Sequence, residues 1–480
     1  MHAENLALLV ALPLLTAFLL QPLSQKFAVG WLAPLTVLVT LLLTLQLGAG
    51  VMEQPISSVM GGFVVPMGIN FYLDGLAWLF LIALQLSLLL LWPRGEQGQS
   101  VRVQVLMLLL TASSIGLLLS GDLFNLYVFY ELLAVATFGL VAAGESRATA
   151  IISFRYLLLS GVGSVLALTG IALLYSHAGT LNLGHLAELV ASGELVLPLS
   201  AFLLMLLGFG VKAELFAVNG WVPEVYATLS PRLSALLAGV VPKLALIVIV
   251  RLLVLLFPTP EASQVLLLLG VLGVLSGELA AWRAQDLRRM LAYSSMGQLG
   301  VIFIAFSLSV EAGLLVGIML SLHHLLVKPG LFLLTEQRFQ GWSMVLFILF
   351  ALSLVGVPPL PGFWAKFALL TGLVSAGGWI NSTALVVFLF ATVVEASYLF
   401  RVVQHYHQER ERHQERGRAA VSVVGQDNSG VWISTLFATG LLLTAWQIQP
   451  ISDYLQQLAV QAGDRQQLSA IVVGVTEGRP

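Results

Sequence analysis

Long apolar segments joined by short polar connections make up most of the chain. A transmembrane helix requires about 20 consecutive, mainly apolar residues, and by this criterion the pattern predicts about fourteen spans. They lie near residues 5–22, 30–48, 71–92, 103–120, 122–142, 155–175, 197–217, 233–257, 264–281, 291–309, 312–335, 343–372, 379–403 and 431–449. The pattern therefore predicts an all-α polytopic membrane protein.

Two of the predicted spans contain or meet residues that break helices. The span near 197–217 runs into Asn219, Gly220 and Pro223, and the span near 343–372 contains Pro358, Pro359, Pro361 and Gly362. Backbone groups freed at such residues cannot face lipid, because the bilayer core offers no hydrogen-bond partners. We therefore expect both breaks to lie inside the protein or beside a water-filled cavity.

The composition agrees with a membrane protein and excludes several other classes. Apolar residues make up 58 % of the 480 residues and charged residues only 10 %, against about 25 % in a soluble domain. A net charge of −2 excludes a nucleic-acid-binding protein, which needs a basic face. Because the chain has no cysteine, disulfides, thiolate-held iron–sulfur clusters and thiolate zinc sites are excluded, and we expect no cofactor.

The lysine and arginine residues of the connecting loops are confined to the odd-numbered loops. Basic residues such as Lys26, Arg102 and Arg283 lie in the odd-numbered loops, whereas the even-numbered loops hold acidic residues such as Glu53 and Glu188. The positive-inside rule then places the odd loops in the cytoplasm and both termini outside. The first apolar segment has no basic residue before it, which indicates a retained span and not a cleaved signal peptide.

The most highly charged segment is HYHQERERHQERGR at residues 405–418. We interpret this segment as a solvated cytoplasmic loop or a short surface helix. The alternative is a metal site formed by His405, His407 and His413, and it is disfavoured because the segment is polar on every side.

Twelve ionisable residues within the predicted spans are functional candidates, because a charged side chain costs about 2.5–3.5 kcal/mol at mid-membrane. They are Asp74, Glu131, Lys212, Glu214, Lys243, Arg251, Glu278, His323, His324, Lys328, Lys366 and Glu395. One or two such residues are compatible with structural ion pairs, but twelve spread over many helices indicate a polar path through the bilayer. Acids, lysines and histidines in series are the components of a proton relay.

The spacing of these residues indicates an internal repeat. His324 and Lys328 are four residues apart and share one helical face. Lys212 precedes the first break and Lys366 follows the second, and broken helices at corresponding positions are typical of inverted repeats. The predicted division is N-terminal helices 1–3 (1–102), a first repeat with helices 4–8 (103–257), a second repeat with helices 9–13 (258–403), a charged loop (404–430), and the last span with the C-terminal tail (431–480).

Each candidate also has a structural interpretation. Glu131 has the alternative of a hydrogen-bonding carboxylate, and Lys212 and Lys366 have that of structural charges. Arg251 and Asp74 lie near span ends. Snorkelling or helix capping explains their charges as well as a role in transport does. The secondary candidates for the relay are Asp74, Glu214, Glu278, His323 and Glu395.

An ordered series of motifs extends over nearly the whole chain. The motifs are GGFVVPMGINFYLDGLAWLF (61–80), GDLFNLYVFYELL (121–133), YSHAGTLNLGHLA (175–187), GFGVKAELFAVNGWVPEVYATLSPRLSALLAG (208–239), QDLRRMLAYSSMGQLG (285–300), HHLLVKPGLFLL (323–334) and GVPPLPGFWAKF (356–367). This series resembles the antiporter-like membrane subunits of respiratory complex I, membrane-bound hydrogenases and Mrp-type Na⁺/H⁺ antiporters. It looks most like the D subunit of the Mrp antiporters.

The resemblance implies fourteen helices with two inverted five-helix repeats, each containing a broken helix. It also implies a role for each matching residue. Glu131 matches the essential glutamate of the family, Lys212 the lysine at the first broken helix, Lys243 the lysine of the next helix, His324 and Lys328 the central relay, and Lys366 the lysine beside the second break.

The chain departs from the family pattern at three of these places. Where relatives usually have a histidine after the first broken-helix lysine, this chain has Asn219, which cannot carry a proton as an imidazole does. Glu214 replaces a residue that is usually small and neutral, and Pro329 replaces an alanine after Lys328.

These observations lead to one principal functional hypothesis and its alternatives. The principal hypothesis is a proton-translocating subunit of a multisubunit monovalent cation (Na⁺)/H⁺ antiporter in a bacterial inner membrane, not itself an enzyme, with other membrane subunits as partners. The first alternative is a proton-pumping subunit of NADH–quinone oxidoreductase or a membrane-bound hydrogenase. Coupling to the uptake of another solute and a purely structural scaffold are weaker alternatives.

Overall fold

The computed structural model describes residues 4–27, 29–63, 65–93, 100–144, 147–337, 341–415 and 428–464. These residues are mostly helical. The helices of the N-terminal half are α1 (Glu4–Ser24), α2 (Leu32–Gln46), α3 (Gly48–Glu53), α4 (Gly75–Leu90), α5 (Val101–Leu119), α6 (Leu123–Ala142), α7 (Arg147–Ala178), α8 (Leu183–Ala191), α9 (Leu199–Gly210), α10 (Val222–Thr228), α11 (Pro231–Gly239) and α12 (Val241–Arg251), which continues as a π-helix over Leu252–Leu256. The helices of the C-terminal half are α13 (Pro260–Arg283), α14 (Leu287–Phe306), α15 (Val310–Leu333), α16 (Trp342–Val355), α17 (Pro361–Ala376), α18 (Gly378–Glu415), α19 (Ser429–Trp446) and α20 (Ile448–Gly463).

Within the described residues, ten helices are long and apolar enough to cross a membrane. They are Leu6–Ser24, Val101–Leu119, Leu123–Ala142, Arg147–Ala178, Pro231–Leu256, Pro260–Arg283, Leu287–Phe306, Val310–Leu333, Gly378–Gln408 and Ser429–Trp446. Shorter apolar helices are Leu32–Gln46, Gly75–Leu90, Leu199–Gly210 and Trp342–Val355. The prediction of a multi-pass helical membrane protein is confirmed, while the count of fourteen spans stays a prediction.

The chain forms two compact units. The first unit contains Met1–Trp221, Val240–Val265 and Leu455–Pro480, and the second contains Val222–Gly239 and Leu266–Tyr454. The segment Val222–Gly239, which belongs to the first repeat in the predicted division, is therefore part of the second unit.

In the first unit, helices α7 and α9 approach closely at a glycine. A Cβ atom on Gly208 of α9 would lie 2.6 Å from the Ala167 nitrogen and the Gly163 carbonyl oxygen of α7. Only a glycine allows the two backbones this separation. The contact fixes the last turn of α9, immediately before the first predicted break.

A small β-hairpin precedes α4, so the predicted start of the third span is wrong. Strand β1 (Ile56–Val59) pairs antiparallel with β2 (Asn70–Leu73), so residues 71–73 are strand and not membrane helix. The Asn70 carbonyl oxygen accepts from the Gly121 N–H at 3.0 Å, and Asn70 Oδ1 accepts from Asn182 Nδ2 at 3.0 Å. These bonds join the hairpin to the loops before α6 and α8.

Asp74 lies outside the regular part of α4 and caps its N-terminus. Its Oδ1 atom accepts from the Ala77 N–H at 2.7 Å, which satisfies one of the free donors of the first turn. The same oxygen lies 3.0 Å from Nη2 of Arg251, whose Nη1 donates to the Leu118 carbonyl oxygen at 3.0 Å. The structure thus gives Asp74 and Arg251 a capping and ion-pairing arrangement, which was one of the two interpretations of their sequence positions.

The substitution Arg251→Met is expected to lower the free energy of unfolding by about 3–5 kcal/mol, because it leaves the buried Asp74 carboxylate without its counter-charge. The side chains of Arg251 and Asp74 are only 9 % and 7 % exposed, so water does not replace the lost partner. Thermal unfolding of the purified protein in detergent measures the effect. The double variant Asp74→Asn/Arg251→Met should recover part of the loss, whereas wild-type stability of Arg251→Met would contradict the prediction.

In the second unit, α15 packs against α11, α14, α16, α17 and α19. It continues through Pro329 as far as Leu333, so the proline does not end the helix. The predicted span near 343–372 is two helices, because α16 ends at Val355 and α17 begins at Pro361. Gly356 ends α16 in the left-handed conformation, with φ 92°.

Two C-terminal segments differ from the expectations. Helix α18 continues to Glu415, so residues 404–415 of the predicted charged loop are helical, and residues 416–427 lie outside the described part. His405 and His407 belong to this extension, and the side chain of His413 is not among those described. The predicted tail contains α20, whose Leu455 and Leu458 are buried and whose Gln461 accepts from the Gly75 N–H at 3.2 Å.

Candidate functional site

The first predicted break lies between the end of α9 at Gly210 and the start of α10 at Val222. Two residues within it, Glu214 and Ala217, have left-handed backbone conformations, with φ 57° and 80°. Trp221 Nε1 donates to the Val211 carbonyl oxygen at 2.9 Å and so holds the two ends of the irregular segment together. The predicted interruption of this span is confirmed.

Lys212 lies within this break and is completely buried. Its ammonium group donates to Tyr156 Oη at 2.6 Å, to Ser160 Oγ at 3.0 Å and to Thr137 Oγ1 at 3.2 Å. The nitrogen also lies 4.1 Å from the centroid of the Tyr156 ring. Neutral hydroxyl groups from α6 and α7 therefore solvate the ammonium group in place of water.

Glu131 lies on α6 in the same unit and interacts electrostatically with Lys212. Its side chain is half-buried, and Oε1 is a buried atom without a hydrogen-bond partner among the described residues. The neighbouring Tyr130 donates its hydroxyl to the Gly208 carbonyl oxygen at 2.8 Å, which ties this turn of α6 to the last turn of α9. The predicted glutamate and lysine are thus brought into one electrostatic environment, with hydroxyl groups as the direct partners of the lysine.

Two further candidates of the first unit are completely or nearly completely buried. Lys243 is fully buried in the first turn of α12, and Glu214 is 1 % exposed within the break. Asn219 Nδ2 donates to the Glu214 carbonyl oxygen at 3.1 Å. Asn219 therefore stabilises the backbone of the break.

In the second unit, Lys366 of α17 forms a buried ion pair with Glu395 of α18. The Lys366 nitrogen lies 2.7 Å from Glu395 Oε2, and Gln298 Nε2 of α14 donates to Glu395 Oε1 at 2.7 Å. Both carboxylate oxygens of Glu395 therefore have partners. The sequence placed Lys366 beside the second break, and the structure adds Glu395 as its direct counter-charge.

Lys328 of α15 is joined to Glu278 of α13 through two hydroxyl groups. Its nitrogen donates to Ser294 Oγ of α14 at 2.6 Å. The hydroxyl oxygen of Tyr398 on α18 lies 2.7 Å from Ser294 Oγ and 2.9 Å from Glu278 Oε2. Four helices thus contribute one residue each to a continuous buried series of polar groups.

The two histidines of α15 also contact serine hydroxyls. His324 Nε2 lies 3.3 Å from Ser295 Oγ, and His323 Nε2 lies 2.9 Å from Ser353 Oγ of α16. His324 and Lys328 therefore meet consecutive serines of α14, in agreement with the predicted shared helical face.

The neutral partners of these ionisable groups were not predicted from the sequence. In the first unit they are Thr137, Tyr156 and Ser160, and in the second they are Ser294, Ser295, Gln298, Ser353 and Tyr398. A hydroxyl residue in an apolar helix more often bonds to the carbonyl four residues earlier, as Thr111 does with Met107, so its presence alone carries no signal. Within the segment YSSMGQLG, however, four nearly consecutive polar or small residues interrupt an apolar helix, and that cluster was an available signal.

Comparison with known proteins places the chain in a family. The family model described as "NADH:quinone oxidoreductase/Mrp antiporter, TM" matches residues 120–394, which include both breaks and all the principal candidate lysines. The chain belongs to this family. The resemblance recognised from the motifs is confirmed.

Individual relatives come from two kinds of complex. The N subunit of NADH-quinone oxidoreductase from Desulforudis audaxviator (strain MP104C) is 32 % identical over 443 residues, which cover 84 % of this chain and 87 % of the relative. The D subunit of the Na⁺/H⁺ antiporter from Bacillus subtilis (strain 168) is 28 % identical over 430 residues, covering 83 % and 85 %. A chain of the membrane-bound sulfane sulfur reductase, an archaeal respiratory membrane complex, has TM-score 0.86 and 26 % identity, covering 98 % of this chain and 100 % of that chain.

Proposed function

We propose that this family member is the proton-translocating component, of the D-subunit type, in a multisubunit monovalent cation (Na⁺)/H⁺ antiporter of a bacterial inner membrane. The observation that carries the proposal is the presence, in each unit, of a buried lysine beside a helix break. Lys212 is held by hydroxyl groups, and Lys366 by the Glu395 carboxylate. Such charges are costly in a membrane and are retained where they move ions or protons.

The proposed proton path uses the six principal candidates in series. Protons enter near Glu131 and Lys212, pass Lys243 and the pair His324–Lys328, and leave by Lys366. Asp74, Glu214, Glu278, His323 and Glu395 are secondary members. We further propose fourteen crossings with two inverted five-helix repeats, the odd loops in the cytoplasm and both termini outside.

Each lysine in this scheme alternates between a protonated and a neutral state. An ammonium group can hold a proton next to an acid or a cluster of hydroxyl groups, and it releases the proton when that stabilising partner moves away. The chain itself has no catalytic role in this scheme. Its partners are the other membrane subunits of the complex, and its transported ions are H⁺ and Na⁺ or another monovalent cation.

The substitutions Lys366→Ala and Glu131→Gln test the proposal in everted membrane vesicles that contain the complete complex. Each is expected to reduce cation-driven proton transport roughly 10²-fold, the lower end of the contribution of a positioned proton-transfer group. Transport is measured as the pH gradient that forms on addition of Na⁺ or K⁺, and assembly is measured by co-purification of the partner subunits. Lys26→Ala, which removes an exposed lysine, is the control. Wild-type transport by both variants, with normal assembly, would refute the relay.

A second candidate function is the proton-pumping subunit of a redox complex. The chain is 32 % identical to an NADH-quinone oxidoreductase subunit and 28 % identical to an antiporter subunit. These two sequence identities support the redox complex and the antiporter equally. Purification of the chain with its native partners distinguishes the two. Small membrane subunits alone support the antiporter, whereas iron–sulfur or flavin subunits support the redox complex.

A further inference from the structure

The series Lys328–Ser294–Tyr398–Glu278 has the geometry of a proton-conducting chain of hydrogen bonds. Lys328 Nζ lies 2.6 Å from Ser294 Oγ, Ser294 Oγ lies 2.7 Å from Tyr398 Oη, and Tyr398 Oη lies 2.9 Å from Glu278 Oε2. All three distances are those of ordinary hydrogen bonds. The four residues are 2 % exposed or less, so no bulk water competes with these contacts. We call this series the hydroxyl wire.

The hydrogen bonds of the hydroxyl wire all run in one direction when Glu278 is ionised. An ammonium group can only donate, so Lys328 donates to Ser294. When Glu278 is ionised, its carboxylate can only accept, so in that state Tyr398 donates its single proton to Glu278 and accepts the proton of Ser294. All three hydrogen bonds then point from the lysine to the glutamate, which is the arrangement needed for a concerted transfer.

The packing of α13 against α14 is adapted to the glutamate end of the wire. A Cβ atom on Gly297 would lie 2.3 Å from Glu278 Oε1, so a larger residue at this position of α14 would displace the carboxylate. The same helix supplies Ser294 three residues earlier. Glu278 is thus held against the helix that carries the centre of the wire.

The Glu278 end of the wire lies close to basic residues on α13 and α18. Glu278 precedes Arg283, the last residue of α13, by five residues, or about 7.5 Å of helix. Arg401 follows Tyr398 by three residues on α18 and donates to the carbonyl oxygens of Trp282 and Ala284 at 2.8 and 3.0 Å. The wire therefore runs across the four helices, and its glutamate end lies within about two turns of the loop that follows α13.

Glu278 is also distinct from the acid that pairs with Lys366. Glu395 precedes Tyr398 by three residues on α18 and uses both carboxylate oxygens for Lys366 and Gln298. The second unit therefore contains two lysine–acid couples. One is a direct ion pair, and the other is connected through two hydroxyl groups.

We propose that Ser294 and Tyr398 conduct protons between Lys328 and Glu278, and that Glu278 is the proton portal of the second unit on the side of the loop after α13. In the transfer, Tyr398 gives its proton to Glu278 as it takes one from Ser294, and Ser294 takes one from Lys328. The products are neutral Lys328 and protonated Glu278, and both hydroxyl groups are restored. This inference rests on the proposed proton-translocating function and adds a branch to its path.

A structural role for the same residues has different consequences. If Tyr398 only stabilised the buried Glu278 carboxylate and Ser294 only held the Lys328 ammonium group, the two hydroxyl groups would act independently, and their losses would multiply in the double variant. If the hydroxyl groups form one wire, the loss of either interrupts it, and the loss of both costs no more than the loss of one.

The variants Tyr398→Phe, Ser294→Ala and Glu278→Gln test the wire in everted vesicles that contain the complete complex. Each is expected to lower the rate of cation-driven proton transport roughly tenfold, below the full contribution of a positioned proton-transfer group because water can enter part of the gap. Ser294→Thr keeps the hydroxyl and should restore most of the rate. The double variant Tyr398→Phe/Ser294→Ala should match either single variant. Tyr226→Phe, at a buried tyrosine whose ring packs against Phe332, is the matched control and should transport normally.

The outcomes separate the wire from the function on which it rests. Normal transport by Ser294→Ala or Tyr398→Phe, in membranes where Lys366→Ala is inactive, would overturn the wire and leave the relay intact. Multiplied losses in the double variant would also overturn it. If Lys366→Ala itself transports normally, the proposed function fails, and the wire is then judged by infrared spectroscopy of the purified complex. The carboxyl band that Glu278→Gln removes should shift in Ser294→Ala, and an unchanged band would overturn the wire.

Discussion

Replacing Lys212 with methionine is expected to reduce cation-driven proton transport by about 10³-fold, a typical contribution of a positioned proton-transfer group. Methionine keeps an unbranched side chain of similar length, but it has no proton to hold or release. The direct hydrogen-bond partners it leaves behind are the neutral hydroxyls of Thr137, Tyr156 and Ser160, which can hydrogen-bond to one another, as Tyr156 already does with Thr137 at 3.2 Å. The complex should therefore still assemble, and the pH gradient in everted vesicles measures the loss.

The variant Lys212→Arg separates proton release from fixed charge. A guanidinium group stays protonated in proteins, so arginine supplies the charge without the ability to release a proton. It is expected to be as inactive as Lys212→Met. Transport by Lys212→Arg at the wild-type rate would show that the site needs only a positive charge. Lys26→Met, at an exposed lysine, controls for the general loss of a basic residue.

The lysine sites could be predicted from the sequence because the signals are strong and local. Proline and glycine within an apolar segment interrupt a helix wherever they occur, and the structure has irregular backbone after Gly210 and after Val355. A charged residue in such a segment is equally conspicuous. Lys212 and Lys366 could therefore be placed beside the two breaks before any contact was known.

The partners of these lysines depend on helix packing and could not be predicted in the same way. Glu395 follows Lys366 by 29 residues in the chain, and Tyr398 is separated from Ser294 by 104. No local pattern relates residues at such distances, since the contact depends on how α18 rotates and slides against α14 and α17. From the sequence, Glu278 is only one of several acids within predicted spans. Its contacts with Tyr398 and Gly297 distinguish it from the others.

The start of the third span shows a different limit. Residues 71–73 are apolar or aromatic and continue directly into α4, so composition does not distinguish strand from helix there. The partner strand β1 lies beyond a turn and pairs Ile56 with Leu73. Asp74 was the available signal, because an acidic residue before an apolar run is typical of a helix N-cap.

The substitution Gly362→Ala is expected to prevent correct folding of the second break. A Cβ atom on Gly362 would lie 1.8 Å from the Ser353 carbonyl oxygen and 2.9 Å from His323 Nε2. The first of these atoms is backbone in the last turn of α16 and cannot rotate away as a flexible side chain would. Separating α16 from α17 would also move Lys366, one turn after Gly362, away from Glu395.

The expected cost is about 3 kcal/mol or more, at or above the upper end of the range for overpacking a close-packed site. It is measured as a loss of folded protein in the membrane fraction and a lower unfolding temperature in detergent. Gly161→Ala is the matched control, because Gly161 lies within α7 and a Cβ atom there meets nothing within 4 Å. That control should be neutral or stabilise the helix by up to about 1 kcal/mol. If Gly362→Ala were as stable as Gly161→Ala, α17 could not begin as close to α16 as the structure places it, and the position of Lys366 beside the break would lose its support.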